Sequence, residues 1–150
     1  MNRENLLIIV KQSYAAFGNR DVEELCRLST QDCIFQAPGI PKLMPWAQKH
    51  VGHGGIRHFV AALDTHLKFS TFVAHEYIAD ETTNSVVALG RAECVSRSTG
   101  RSYTNHWAHL FKLVNGKIAH FQEFPDTAAQ LVAVHPIDLI RYDNTDISEA

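Results

Sequence analysis

The stretch YTNHWAHLFKLVNGKIAHFQEF, residues 103–124, decides the fold. Asn115-Gly116 is the signal of a two-residue type I′ turn, because both central positions need positive φ. A turn of two residues pairs Val114 with Lys117. Continued without interruption, that register sets Leu110 opposite Phe121, Ala108 opposite Glu123 and Phe111 opposite His120. Thr104, His106, Ala108, Leu110, Phe121 and Glu123 then share one side of the hairpin. Trp107, His109, Phe111, His120 and Phe124 share the other. Both sides are largely apolar, so both are expected to be covered. His106 falls diagonal to Glu123, about 7–8 Å away at Cα and within reach of long side chains.

Working outward, the two-residue period persists upstream. Phe72 to Ile78 and Val86 to Val95 read as further strands, beside Tyr103 to Leu113 and Lys117 to Phe124. Earlier still the period becomes helical. Ile56, Phe59, Val60, Leu63 and Leu67 form one stripe, and Leu6, Ile9, Val10, Ser13, Tyr14 and Phe17 another. Gly18-Asn19 is a stop for the first helix. Asp21 with Glu24 three residues on is a capping box for a short second helix carrying Leu25 and Leu28. Cys33 to Gln36 is a short strand candidate. Residues 38–55, with Pro38, Pro41, Pro45 and four glycines, are expected to be a long connection that could act as a lid, with Met44 and Trp46 over a pocket. Asp126 caps a last helix carrying Ala128, Leu131 and Val132. Helices followed by a run of antiparallel strands indicate an α+β fold.

The chain has 150 residues, which fits one domain over 1–134 and a loosely held tail over 135–150. Lys+Arg number 14 against 16 Asp+Glu, so no basic face is expected and nucleic acid is excluded as the main partner. No apolar run approaches the roughly 20 residues of a membrane span, so no membrane partner is expected. Cys26, Cys33 and Cys94 are odd in number and lack a Cys-x-x-Cys spacing. That argues against a disulfide framework and for a reduced, cytoplasmic protein.

The layout to about residue 134 resembles the SnoaL-like branch of the NTF2-like superfamily. The residues that carry the resemblance are Tyr14-Ala-Ala-Phe-Gly-Asn-Arg-Asp-Val-Glu-Glu-Leu25, Gly52-His-Gly-Gly-Ile56, Asn115-Gly-Lys-Ile118 and Glu123-Phe-Pro-Asp-Thr-Ala-Ala129. The resemblance implies a cone: a curved antiparallel sheet wrapped around N-terminal helices, with an apolar pocket and a homodimer through the convex face. The superfamily includes ketosteroid isomerases, polyketide cyclases, limonene epoxide hydrolases, scytalone dehydratases and non-catalytic binding modules. The isomerases' general-base Asp would fall on Ala37, their protonated second acid on Ala108 and their first-helix tyrosine on Ser13, with Tyr14 one place off and pointing elsewhere. Their triad is missing here. The dehydratases' Tyr-Asp pair is replaced by Phe17-Gly18. The same comparison turns the side holding Ala108 toward the pocket and leaves Trp107, His109 and Phe111 to the convex, dimer-forming face.

These readings select His106 as a proton carrier and Glu123 as the carboxylate that fixes its tautomer, since a paired imidazole titrates near neutral pH. Asp126 is a third catalytic candidate, by resemblance to the cyclases' acid after the last strand. Its other reading is the helix cap. Phe35, Trp46, Phe59, Leu63, Leu110 and Phe121 are expected to be pocket wall. His50, His53 and His58 lie on a glycine-rich loop and a helix start, which do not converge on a metal, so no metal is expected. The expected function is acid–base chemistry without a cofactor on a small hydrophobic molecule, as an isomerase, cyclase or dehydratase. The alternative is a ligand-binding or protein-interaction module on the same fold.

Overall fold

Asn2 starts the first helix of the computed structural model, which describes residues 1–135; its side chain accepts the Asn5 N–H at 2.9 Å. Helix α1 runs Arg3–Gly18 and buries Leu6, Leu7, Val10, Ser13 and Ala16. Asp21 caps α2, Val22–Arg27, by accepting the Glu24 N–H. Strand β1 is Ser29–Gln36 and β2 is the short Lys49–Val51. Helix α3, Gly52–His66, buries Ile56, Phe59, Val60 and Leu63, the stripe seen in the sequence. Strands β3 (Leu67–Asp80), β4 (Ser85–Ser96), β5 (Ser102–Val114) and β6 (Lys117–Phe124) follow, then α4, Thr127–Val134. Of the tail expected over 135–150, residues 136–150 lie outside the described residues.

The six strands form one sheet in the order β2-β1-β6-β5-β4-β3. All neighbours are antiparallel except β1 and β6, which run parallel. A uniformly antiparallel run was the expectation. It fails because β1 enters the sheet from the helical layer and lies against the last strand. The helices cover one face, and the core sits between them and the sheet.

Two features set which side chains reach that core. The first is the hairpin register. Asn115 and Gly116 take φ of 50° and 77°, as a type I′ turn requires, and Val114 pairs with Lys117. Leu113 then pairs with Ile118, but Lys112 pairs with His120, so Ala119 is an unpaired extra residue. This β-bulge shifts the rest of β6 by one place. Phe111 faces Phe121 and His109 faces Glu123. A shift of one residue exchanges faces, so Asn105, Trp107, His109 and Phe111 are buried while His106 is exposed. The face assignment read from the sequence for β5 is therefore reversed: Trp107, His109 and Phe111 point into the core, and His106, Ala108 and Leu110 point outward. The bulge lets Ile118 and Phe121, three residues apart, both point inward.

The second feature is Gly90, paired with Trp107 across β4 and β5. A Cβ on Gly90 would collide with the indole and with the Val73 carbonyl oxygen. Without it, the Trp107 ring stacks with the Phe72 ring, 4.9 Å away between centroids, and with the His109 ring, 3.9 Å away.

The connection before α3 is no open lid. Met44 and Trp46 are 0% and 1% exposed, and the segment contributes β2 to the sheet edge. Helix α4 also differs from its expected face. It buries Gln130 and Ala133; of the residues it was expected to carry, Leu131 packs partly against the core and Ala128 is exposed. No described helix is long and apolar enough to cross a membrane. The three cysteines are free and buried.

Candidate functional site

Between α1, α3, α4 and the inner face of the sheet is a cavity of about 60 Å³. Phe35, Phe59, Leu63 and Phe121 line it, as the sequence suggested. Phe17, Phe69 and Phe72 line it as well. The same rings border a shallow outer cleft with Arg20, Asp64, Lys68 and Arg97 on its rim. Arg20 stacks its guanidinium over Phe17 at 4.3 Å and holds Asp64 on α3 at 2.9 Å. The wall contains no lysine or arginine, so an anion inside would have no counter-charge.

The polar groups of the cavity come from three elements. Tyr14 projects from α1, and its hydroxyl lies 2.8 Å from His109 Nδ1 on β5. The sequence reading had turned Tyr14 elsewhere. It faces the sheet because it sits on the same stripe as Val10 and Phe17, and the rings of Phe72, Trp107 and Phe111 surround it. Burial raises the pKa of the Tyr14 hydroxyl, with Tyr77 and Glu123 adding to the rise. Burial also pushes His109 down to about 3. The bond therefore joins a neutral phenol to a neutral imidazole. Whichever tautomer the imidazole adopts, one donor of the pair stays outside the bond: the Nε2–H, or the Tyr14 O–H when Nδ1–H donates.

Glu123 is buried directly opposite His109 across β5 and β6. Burial pushes its carboxyl up to about 7, offset in part by a hydrogen bond from Asn105. That bond is long, 3.5 Å from Asn105 Nδ2 to Glu123 Oε1. The amide orientation of Asn105 is set from its other end, where Oδ1 accepts the Asp126 N–H at 2.8 Å. A carboxyl in an apolar wall with one weak donor is poised between its two protonation states near neutral pH.

The remaining residues singled out in the sequence are placed elsewhere. His106 is exposed on the outer face, opposite Arg91, with Glu123 on the other side of the sheet. The bulge at Ala119 separates them. Ala108 also faces outward, so the correspondence drawn with the isomerases' second acid does not hold. Leu110 lies on the outer face and Trp46 packs in the core near His66, and neither lines the cavity. Asp126 is exposed and caps α4 through the Ala129 N–H at 3.0 Å. His50 and His58 face each other at 3.3 Å between Nδ1 atoms, while His50 Nε2 meets the Trp46 carbonyl. No cluster fit to hold a metal occurs among the described residues. Tyr14, Asn105, His109 and Gln130 were missed as site residues. A signal existed for Gln130, a lone polar residue in the run Ala128-Ala129-Gln130-Leu131-Val132.

The fold is shared with proteins of solved structure. An NTF2-like protein from Burkholderia xenovorans LB400 is 25% identical, with a TM-score of 0.81, covering 90% of this chain and 99% of that one. TerC, crystallised with polyporic acid, is 24% identical with a TM-score of 0.77, covering 87% and 98%. A candidate polyketide cyclase from Xanthomonas campestris pv. campestris is 17% identical with a TM-score of 0.71, covering 89% and 99%. No curated protein matches the chain significantly in sequence. The sequence model of the SnoaL-like domain matches residues 10–121. With that match over most of its length, and with a curved six-stranded sheet packed on N-terminal helices, the chain belongs to the SnoaL-like family of NTF2-like proteins.

Proposed function

We propose that this protein is a cofactor-independent acid–base catalyst acting on a small, largely apolar molecule, as an isomerase, cyclase or dehydratase. The observation that carries the reading is Glu123: a carboxyl held near pH 7 in a wall of aromatic and aliphatic side chains. Such a group can take a proton from a substrate and return it elsewhere without large cost in either direction. The donor left over by the Tyr14–His109 pair would stabilise negative charge developing on a substrate oxygen. The largely apolar wall lowers the local dielectric, which strengthens both interactions. A ring-sized substrate needs more room than the 60 Å³ cavity, so binding requires side chains of the wall to move. The structural likeness to TerC, a protein crystallised with a small organic molecule, supports a small-molecule site here.

A second reading, a filled cone that binds without catalysis, draws on that small volume. The two separate on one experiment. Purified protein is screened for turnover of steroids, aromatic polyketides and terpenoid epoxides, and the active class is repeated with Glu123→Gln. Catalysis predicts a loss of about 10²–10⁴ in kcat and, with Glu123 as base, a kcat/KM rising through about pH 7 in the wild type. Turnover undiminished in Glu123→Gln would sink it.

The outer sheet face is proposed as a homodimer interface. Val73, Ile78 and Phe124 are 53%, 55% and 49% exposed there, and Val87, Leu89 and Leu110 connect them across the strands. A reduced, cytoplasmic setting is proposed on the three free thiols.

A further inference from the structure

The outer cleft offers about 630 Å³, within the range of small-molecule sites, where the cavity behind it offers 60 Å³. Its rim is cationic. Arg20, Lys68 and Arg97 stand on it with one acid, Asp64, in a chain whose acids outnumber its lysines and arginines. The charge of Asp64 is matched by Arg20, which leaves Lys68 and Arg97 in excess.

Two of these cations are anchored on the same residue. Asp64, in the last turn of α3, accepts from Arg20 Nε with its carboxylate at 2.9 Å and from Arg97 Nε with its backbone carbonyl at 2.8 Å. Arg20 follows the cap of α1 with a φ of 54°, a left-handed position that glycine or asparagine usually takes. An arginine there carries backbone strain, and in return its guanidinium is seated on the Phe17 ring with Nη1 donating to the Phe17 carbonyl oxygen. Arg20 Nη2, both terminal nitrogens of Arg97 and Lys68 Nζ have no hydrogen-bond partner among the described residues. Donors fixed in advance lose little freedom when a ligand arrives.

The floor and the rim ask for two different things in one molecule. The half-buried rings of Phe17, Phe69 and Phe72 gain by being covered with an apolar body. The terminal nitrogens of an arginine match the two oxygens of a carboxylate, and Lys68 adds a point charge. We propose that this cleft is a second binding site, for an organic carboxylate with an apolar chain. Arg97 and Lys68 take its head, and its chain lies along the three rings. The site is outside the cavity that holds Glu123, and it does not need that cavity to be catalytic.

The test titrates octanoate, 1-octanol and acetate into the isotope-labelled full chain at constant ionic strength, followed by NMR. Octanoate should shift the backbone amides of Gly18, Ser70 and Thr71, which border the cleft alone, and spare those of Asn105 and Gln130, which border the cavity alone. 1-Octanol lacks the charge and acetate lacks the chain, so each should bind at least about tenfold more weakly. Arg97→Gln and Lys68→Gln should each weaken octanoate by about threefold or more. Lys68 is exposed, so its replacement does not put the fold at risk. Arg27→Gln removes the same charge from α2, where Arg27 pairs with Glu24, and should leave octanoate binding unchanged. Absence of octanoate binding, shifts confined to Asn105 and Gln130, or 1-octanol binding as tightly as octanoate overturns the proposal. So does an affinity undiminished in both Arg97→Gln and Lys68→Gln, or lowered equally in Arg27→Gln.

Discussion

The Tyr14 hydroxyl lies 2.8 Å from His109 Nδ1, which ties the middle of the first helix to the centre of the sheet. Each group is neutral and buried, so each depends on the other for its hydrogen bond. Removing one partner should cost more than removing both. Tyr14→Phe alone should lower stability by about 1–3 kcal/mol in urea unfolding. Tyr14→Phe combined with His109→Phe should lose less than the sum of the two single changes. Strict additivity in that double-mutant cycle would show that the pair does not interact.

Glu123 makes a pH prediction with a definite sign. Its carboxyl is raised from 4.5 in the unfolded chain to about 7 in the fold. Between those values the folded state holds the proton that the unfolded state releases, so stability falls as pH rises from 4.5 to 7. The full penalty, about 3 kcal/mol, is present above pH 7. Glu123→Gln has no such slope. The stability difference between Glu123→Gln and wild type should therefore grow in favour of the variant from pH 4.5 to pH 7 and then level off. A constant difference across that range would show an unshifted carboxyl.

His109 slopes the other way. Its pKa falls from 6.5 to about 3, so the unfolded chain binds the proton first as pH drops. Its contribution to stability is complete above pH 6.5 and is lost as the pH falls toward 3. Ring-carbon NMR of His109 should show a neutral imidazole down to about pH 4 in the folded protein. A titration midpoint near 6.5 would refute its burial.

The bulge at Ala119 predicts a contrast in reactivity. His106 is exposed and His109 is 4% exposed. Brief treatment with diethyl pyrocarbonate should modify His106 and spare His109, as read by fragment mass spectrometry. The uninterrupted register would give the reverse.

Gly90→Ala places a methyl group where the Trp107 indole lies. The overpacked site should cost at least about 1–3 kcal/mol and weaken the near-ultraviolet dichroism of the Phe72–Trp107–His109 stack. An unchanged melting temperature would mean the indole does not cross β4 at Gly90.

Those predictions also mark how far the sequence could be read. Asp21, Asp126 and Asn115-Gly116 announced their cap and turn roles because each is a local interaction between a side chain or φ angle and the next few residues. The stripe from Ile56 to Leu63 announced α3 because its period is unbroken. The site was harder. One extra residue, Ala119, exchanged the faces of β5 relative to Glu123, and a bulge leaves no signature in turn chemistry. A clue was present in the side chains: Trp107, His109, Phe111 and Leu113 alternate as a larger apolar set than His106, Ala108 and Leu110. Burial volume favoured that set for the core, while the turn alone favoured the other. Tyr14 was legible as a member of the α1 stripe, but its partner His109 lies 95 residues away and depended on the same register.

Asn105 has a further consequence. Its carboxamide oxygen accepts the N–H of Asp126, the residue that opens α4, and its nitrogen donates to Glu123. At the far end of the helix Thr99 holds the Ala133 carbonyl at 2.6 Å. Seating of the helix and orientation of the donor are thus one event. If α4 lifts, the amide is released and water reaches the carboxyl, whose affinity for a proton drops toward that of an ordinary glutamic acid. Glu123 is in this sense a gauge: the pH at which it ionises reports whether the last helix is docked.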